Sequence, residues 1–200
     1  MPFENYFDKN SIFAENDRCI LRRLQENDKE SYMALQIEVS DMPEVYKNTE
    51  YYEYFWNSII NEDDVIRLSL HKKENSAHIG NALIRNVLSD TPEMGLDIKK
   101  DYRRQGYAQE TVRLTMDKIN KISGKEIFKI RIMSNNIPSL SLFRKLGAIE
   151  KATEDSELLS ILKKGESYLS EEEIAQKREK EKDLYDFAGK DHIIVFELHI

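Results

Sequence analysis

Cysteine and long apolar runs are scarce in this 200-residue chain, and negative charges outnumber positive ones. Its single cysteine, Cys19, excludes a disulfide within the chain and fits a reducing compartment. Because Cys19 lies in an apolar run, we expect it to be a small core residue. No apolar stretch approaches the ~20 residues of a membrane helix, and the N-terminus carries no signal-peptide pattern. The sequence therefore predicts a cytoplasmic protein with no membrane partner.

The charge balance excludes a further class of partner. Lysines and arginines number 30 against 37 aspartates and glutamates, which leaves a formal net charge of −7. Proteins that bind nucleic acid need a basic face, so we expect no nucleic-acid partner. The histidines, His71, His78, His192 and His199, show no paired metal-ligand spacing, and we predict no metal site.

Hydrophobic patterning predicts an α/β domain. Apolar residues alternate with polar ones along 65–71, the segments 77–88 and 93–98 are predicted as the next two strands, and short polar turns join the three. This is the period of strands, and it favours an antiparallel meander. Apolar spacings of three and four residues predict a helix over 106–122. The β-branched run at 126–133 has the composition of a central strand.

The stretch from Arg103 to Ala108, RRQGYA, is the most informative part of the chain. It lies between a predicted strand and the start of a predicted helix. The first N–H groups of a helix have no partner inside it, and the helix dipole favours an anion there. Gly106 has no Cβ and lets the backbone approach an anion closely, while Arg103 and Arg104 add positive charge. The stretch therefore predicts a phosphate-binding loop.

A second motif follows about thirty residues later. Asn136 and Ser139 precede the segment Phe143–Ala148, FRKLGA. The pattern R-x-x-G-x-A, followed by N-x-x-S and K-L-G, resembles the Gcn5-related N-acetyltransferase (GNAT) superfamily. The similarity is greatest to its ribosomal-protein N-terminal acetyltransferase-like branch, and it extends over residues 18–153 and the last predicted strand.

This resemblance implies a mixed, mostly antiparallel sheet that is flanked by helices and splayed at a coenzyme site. It also implies acetyl-CoA as the co-substrate, with its pyrophosphate on the glycine loop and its pantetheine arm along the edge of the strand 93–98. A backbone N–H of that strand would polarise the thioester. The coenzyme-binding residues that it implies are Leu96, Asp97, Ile98, Arg103, Arg104, Gln105, Gly106, Tyr107, Ala108, Asn136 and Ser139.

The resemblance also suggests a base and an acid. Glu93 begins the strand on which the superfamily often places a water-linked base, although a surface carboxylate after Pro92 is nearly as plausible. Many members carry a tyrosine acid where this chain has Phe143, which has no proton to give. Ser139 is the substitute that we expect, and helix capping or a coenzyme hydrogen bond are the alternatives.

The predicted function is acetyl transfer from acetyl-CoA to a primary amine, with a peptide or protein N-terminus as the leading acceptor. A small amine, such as a polyamine or an aminosugar, is the second candidate, and a non-catalytic acyl-CoA-binding sensor is the third. We divide the chain into an N-terminal extension, 1–17, and the transferase domain, 18–200. A helical insertion at 155–189 is predicted to hold two capped helices, one that begins at Ser156 and one that begins at Ser170 and ends near Phe187. We expect the insertion to shape the acceptor cleft or a homodimer contact.

Overall fold

The structure is a computed structural model that describes residues 12–60 and 62–200. The chain divides into two compact units. The first unit extends to Phe128 and includes His199–Ile200, and the second is Lys129–Leu198. Among the described residues, no helix is long and apolar enough to cross a membrane.

Five consecutive strands and three helices make up the described part of the first unit. They are β1 (Ile12–Glu15), β2 (Cys19–Arg23), α1 (Lys29–Val39), α2 (Thr49–Ile60), β3 (Val65–Lys72), β4 (His78–Arg85), β5 (Glu93–Ile98) and α3 (Tyr107–Ser123). The strands lie in chain order from β1 to β5, and each pairs antiparallel with the next. The predicted antiparallel meander is therefore confirmed.

Apart from shifts of one or two residues at the ends of elements, two features of this unit differ from the sequence-based expectation. The strand predicted over 77–88 stops at Arg85, because Asn86 takes a positive φ of 52°, which ends an extended strand. β1 was not predicted at all and lies inside the predicted N-terminal extension. The rest of that extension, residues 1–11, lies outside the described residues.

Gly80 allows β4 and β5 to approach closely. A Cβ at this position would lie 2.5 Å from the backbone oxygen of Asp97 and 2.9 Å from the Ile98 side chain. The pairing of β3 with β4 also shifts register between Leu70 and His71, next to this glycine. A side chain here would push the two strands apart, so the glycine is required by packing.

Alternation along the strands gives the sheet of the first unit one apolar and one polar face. The apolar face carries Leu68 and Ile84, and it packs on α3 through a row of buried α3 side chains, Val112, Met116 and Ile119. α1 lies over the opposite face, where the Nη1 of Arg67 donates to the hydroxyl of Tyr32 at 3.0 Å. The two helices therefore cover opposite faces of one sheet.

A buried carboxylate, Asp28, fixes the entry of α1 onto the sheet. Asp28 is 3% exposed and accepts two hydrogen bonds from the Arg22 guanidinium, at 2.5 and 2.9 Å. It also accepts from the backbone N–H of Gln25 and from the Ser69 hydroxyl, both at 3.0 Å. The carboxylate thus links β2, β3 and the turn before α1, and both of its oxygens accept hydrogen bonds.

The second unit contains the remaining strands and helices of the described chain. They are most of β6 (Ile127–Met133), α4 (Ile137–Lys145), β7 (Ile149–Asp155), α5 (Glu157–Glu166), α6 (Glu171–Lys180), α7 (Lys182–Lys190) and β8 (His192–His199). β8 lies between β6 and β7 and pairs antiparallel with β7. The α/β class and the mostly antiparallel sheet are confirmed, and the splay at a coenzyme site stays a prediction.

The insertion contains three helices, where two were expected. The predicted helix over 170–187 is interrupted at Glu181, whose φ and ψ of −108° and 26° lie outside the helical region, so α6 and α7 are separate. Both predicted helix starts are confirmed: the Ser156 hydroxyl accepts from the N–H of Leu159, and Ser170 forms a capping box with Glu173.

Glu166 is the polar centre of this insertion. Its carboxylate accepts two hydrogen bonds from Arg178, at 2.7 and 2.6 Å, and one from the Tyr185 hydroxyl at 2.8 Å. The Arg178 hydrogen bonds, assisted by Tyr185, lower the pKa of Glu166 to about 2. These contacts tie α5, α6 and α7 together, while Ile161 and Phe187 stay exposed. The expected role in a cleft or a homodimer contact stays a prediction.

Removing the charge of Asp28 tests its role in the fold. Asp28→Asn leaves Arg22 without its anion, and we expect it to lower the free energy of unfolding by about 2 kcal/mol, because one partner is buried and the other is partly exposed. Trp56, the only tryptophan and 1% exposed, reports unfolding in urea by fluorescence. Asp41→Asn, at an exposed position, is the control. Equal midpoints for both variants would contradict the assigned role.

Candidate functional site

The helix α3 begins after a glycine, and the binding of a phosphate at this end stays a prediction. Gly106 is the N-cap residue, has a φ of 89°, and no side chain caps this end of the helix. Its positive φ is a conformation that glycine adopts without strain. Gly106 has no side chain to cap the first N–H groups of α3, and N–H groups of this kind are the donors that a phosphate binds at a helix start.

The two arginines of the loop have different positions. Arg103 donates from Nε to the backbone oxygen of Ile98 at 2.8 Å and from Nη2 to Glu38 at 3.4 Å. It therefore ties the loop to the end of β5 and to α1. Arg104 is exposed and has a φ of 60°. The predicted phosphate contacts of both side chains stay predictions, and the Arg103 guanidinium is already partly engaged.

Arg18 is a residue of this loop that the sequence analysis missed. Its guanidinium lies 4.5 Å from the centre of the Tyr107 ring and donates to the backbone oxygen of Gln105 at 3.0 Å. It also forms an ion pair with Glu110 of α3. Arg18 stands 87 residues before Gln105, so no local pattern could reveal the contact. It fixes the loop from outside and adds positive charge beside it.

A cavity of about 260 Å³ opens on the polar face of the first unit. We call it the polar cleft. Helices α1 and α2 provide one wall, with side chains that include Tyr32, Gln36, Phe55 and Ile59. Strands β3, β4 and β5 provide the other wall, and its charged and amide side chains are Arg67, Asn81, Arg85 and Asp97. Its volume suits a small ligand or the end of a chain.

Asp97 is the only carboxylate among the described residues that line the polar cleft. Burial raises its pKa above the ordinary value for an aspartate, while a hydrogen bond from Gln36 and the charge of Arg103 act in the opposite direction. A carboxylate with a raised pKa inside a cleft is a candidate proton acceptor. The sequence analysis assigned Asp97 only a backbone contact with the coenzyme, so its side chain was missed.

Glu93, the predicted base, lies on the same face of β5 as Asp97, four residues away. It pairs opposite Arg85 of β4, and the two charged groups lie 3.8 Å apart. Its side chain is 13% exposed, and it is not among the residues that line the polar cleft. The structure thus shows Glu93 beside Arg85, and its role as a base stays a prediction.

Asn136 and Ser139 belong to the second unit, at the start of α4. The Asn136 side chain accepts a hydrogen bond from the backbone N–H of Ser139 at 3.2 Å and is the N-cap of this helix. The capping bond engages the side-chain oxygen of Asn136 and does not involve the hydroxyl of Ser139. Phe143 is buried, at 4% exposure. The coenzyme and acid roles of Asn136 and Ser139 stay predictions.

The described residues hold no group of three or more His, Cys, Asp and Glu side chains arranged for a metal ion. Cys19 is fully buried, and burial raises the pKa of its thiol to about 11. The expected core role of this cysteine is therefore confirmed, because a buried thiol with a raised pKa is a poor nucleophile.

Comparison with known proteins identifies a family. The sequence model of the acetyltransferase (GNAT) domain matches residues 18–149. A comparison with curated protein sequences gave no match.

Solved structures share the fold. A candidate ribosomal-protein-serine acetyltransferase from Vibrio cholerae aligns with a TM-score of 0.67 and 14% identity over 97% of this chain and 100% of the other. A spermidine N-acetyltransferase from the same organism, in complex with CoA and spermine, gives 0.65 and 14% over 92% and 96%. A domain from Methanocaldococcus jannaschii gives 0.61 and 19% over 92% and 100%.

A matched pair of glycine variants tests the loop. Gly106 and Gly124 stand at opposite ends of α3, and both have positive φ, 89° and 71°. We expect Gly106→Glu to abolish acetyl-CoA binding through its bulk and negative charge. Gly124→Glu introduces the same residue at a position with open space and should leave the affinity within about threefold. Calorimetry on the folded variants measures both values, and equal affinities would contradict the assignment of the loop.

Proposed function

Because this chain belongs to the GNAT acetyltransferase family and is therefore an acetyl-CoA-dependent acetyltransferase, we propose that its acceptor is the α-amine of a peptide or protein. The observation that carries this proposal is the charge of the polar cleft. Asp97 is the one carboxylate among its described lining residues, and Arg67 and Arg85 line it as well. A single carboxylate suits an acceptor with one amine.

A polyamine needs a different site. Spermidine and spermine carry several positive charges, so a cleft that binds them should present several carboxylates and few cations. The spermidine N-acetyltransferase aligned above shares the fold at 14% identity, and its bound spermine is a property of that protein. The two guanidinium groups of the polar cleft, Arg67 and Arg85, each lie beside one carboxylate, Glu62 and Glu93, so the cleft lacks the excess of negative charge that a polyamine needs. This charge balance favours a peptide.

Asp97 is the proposed proton acceptor. An amine attacks a thioester only in its neutral form, so the site must take a proton from an ammonium ion. Burial of Asp97 raises the pKa of its carboxyl group and moves it toward the pKa of the group that it must deprotonate. The nitrogen then forms a bond to the acetyl carbon while the carbon–sulfur bond breaks. The thiolate takes a proton from the proposed acid, Ser139, and the N–H proton that the new amide loses replaces it.

The coenzyme residues complete this proposal. The uncapped start of α3 fits the pyrophosphate, with backbone donors from the loop Arg103–Ala108. The edge of β5, at Leu96 and Ile98, is proposed to pair with the pantetheine arm, and a backbone N–H of Leu96 or Asp97 to polarise the thioester. Ser139 is the proposed acid for the leaving thiolate, and Asn136 a proposed coenzyme contact.

A screen of amines tests the acceptor class. At pH 7.4 a peptide α-amine, with a pKa of about 7.7–8.0, is substantially neutral, whereas a lysine side chain, with a pKa of about 10.4, is almost wholly charged. We expect kcat/KM on a peptide N-terminus to exceed that on an Nα-blocked lysine peptide, and on spermidine, by about tenfold or more. The rate of release of free CoA measures the turnover of each of these amines.

The outcomes of this screen separate the alternatives. Equal or faster turnover of spermidine or of an aminosugar would overturn the peptide proposal in favour of a small amine. Binding of acetyl-CoA with no release of CoA by any amine would indicate a non-catalytic sensor. The Gly106→Glu variant is the control for release that does not depend on the coenzyme site.

Asp97→Asn tests the proton acceptor through its pH dependence. We expect kcat/KM to fall about 100-fold at pH 7 and the deficit to narrow toward pH 9, where the amine is neutral without help. A merely structural role would lower the rate equally at all pH values.

Stability provides an independent readout for the same variant. Burial raises the pKa of the Asp97 carboxyl group in the folded state. The free energy of unfolding therefore falls as the pH rises above 3.8, the ordinary pKa of an aspartate. Asp97→Asn should therefore melt no lower than the wild type at pH 7. Glu93→Gln is the matched comparison on β5. If the rate deficit of Glu93→Gln becomes smaller at high pH and the deficit of Asp97→Asn does not, then Glu93 is the base.

A further inference from the structure

The wall of the polar cleft contains a buried donor without a partner. Asn81 is 4% exposed, and its Nδ2 has no hydrogen-bond partner. Its Oδ1 lies 2.8 Å from the Nε2 of His78. Burial lowers the pKa of His78 to about 4, so the ring is neutral near pH 7, and the tautomer with its proton on Nε2 donates to this oxygen. The amide of Asn81 is thus oriented with Nδ2 left for a ligand acceptor such as a carbonyl oxygen.

The two arginines of the polar cleft differ in how far they are engaged. Arg67 donates from Nε and Nη2 to Glu62 and from Nη1 to Tyr32, and its side chain is 10% exposed. Among the described residues, Arg85 forms one ion pair, with Glu93 at 3.8 Å, and its side chain is 41% exposed. Arg85 therefore keeps donors for a second anion, whereas Arg67 is largely occupied.

Register along β4 and β5 fixes the distance between these groups. Asn81 stands opposite Asp97, and Arg85 stands opposite Glu93. Arg85 is four residues from Asn81, roughly 13 Å along the strand, and its flexible side chain can shorten that gap. In an extended peptide, two or three residues span roughly 7–10 Å. An amine at Asp97 thus places the side chain of the second or third peptide residue near Arg85.

We propose that the acceptor peptide carries a carboxylate on its second or third residue, and that Arg85 binds it while Asn81 donates to a backbone carbonyl near the acetylated amine. This inference rests on the proposed peptide acceptor and adds a charge requirement to it. Asp97 receives the positive end of the acceptor, and Arg85 receives the negative side chain. The polar cleft is then selective for acceptors whose two charged groups have the matching spacing.

Three peptides of one length test the inference. One begins Ala-Glu-Glu, one Ala-Gln-Gln and one Ala-Lys-Lys, followed by the same neutral sequence. We expect kcat/KM on the acidic peptide to exceed that on the glutamine peptide by about fivefold, the upper range for a half-exposed ion pair. The lysine peptide should be slowest. Raising the ionic strength should reduce the preference for the acidic peptide.

Variants of Arg85 assign the preference to this residue. Arg85→Gln should bring the ratio of acidic to glutamine peptide to within about twofold of unity, and Arg85→Lys should retain part of it because the charge remains. Arg113→Gln removes an exposed arginine of α3 and should keep the wild-type ratio. The ratio compares two peptides on one enzyme, so a general loss of activity does not change it.

The outcomes distinguish this inference from the proposed function. Equal turnover of all three peptides by the wild type would overturn the charge requirement and leave the peptide acceptor intact. A preference that survives Arg85→Gln would overturn the assignment to Arg85. No turnover of any peptide, with active turnover of spermidine or an aminosugar, would overturn both proposals.

Discussion

The buried carboxylate of Asp28 is the constraint on which the polar cleft depends. Its oxygens accept hydrogen bonds from Arg22 on β2, Ser69 on β3 and the turn before α1. The carboxylate therefore fixes where α1 begins above the sheet. α1 carries Tyr32 and Gln36 into the polar cleft, so the same bonds set their distance from the strands. An apolar residue could fill the volume but could not specify this direction.

The parts of the molecule that a sequence can predict are those built from neighbouring residues. The loop before α3 combines a strand end, Gly106 and a helix start within one short segment, and its conformation follows from local chemistry. The sequence pattern predicted β5 with its observed bounds, Glu93–Ile98, and the antiparallel meander around it. Ser156 and Ser170 predicted helix starts because capping is also local.

The polar cleft could not be predicted because it combines residues from distant segments. Tyr32, Arg67, Asn81 and Asp97 come from four elements, and only the register brings them together. Alternation indicates that β3 to β5 have a polar face, but the pattern is the same whether water or a helix covers that face. The break at Glu181 was missed for a related reason, since neither glycine nor proline marks it. Arg18 was missed because its partners are remote.

The polar cleft contains groups that do not favour folding. Asn81 keeps a buried donor without a partner, and Asp97 keeps a buried carboxylate with a raised pKa. Each of them destabilises the free protein, and a ligand with a carbonyl and an ammonium group would satisfy both. Both residues belong to paired strands, which hold side chains at fixed intervals. In the proposed binding mode, the sheet therefore determines the spacing between the amine of the acceptor and its carboxylate. Under the proposed function, a change of acceptor would require new side chains on β4 and β5, whereas the loop before α3, which is proposed to bind the coenzyme, could remain as it is.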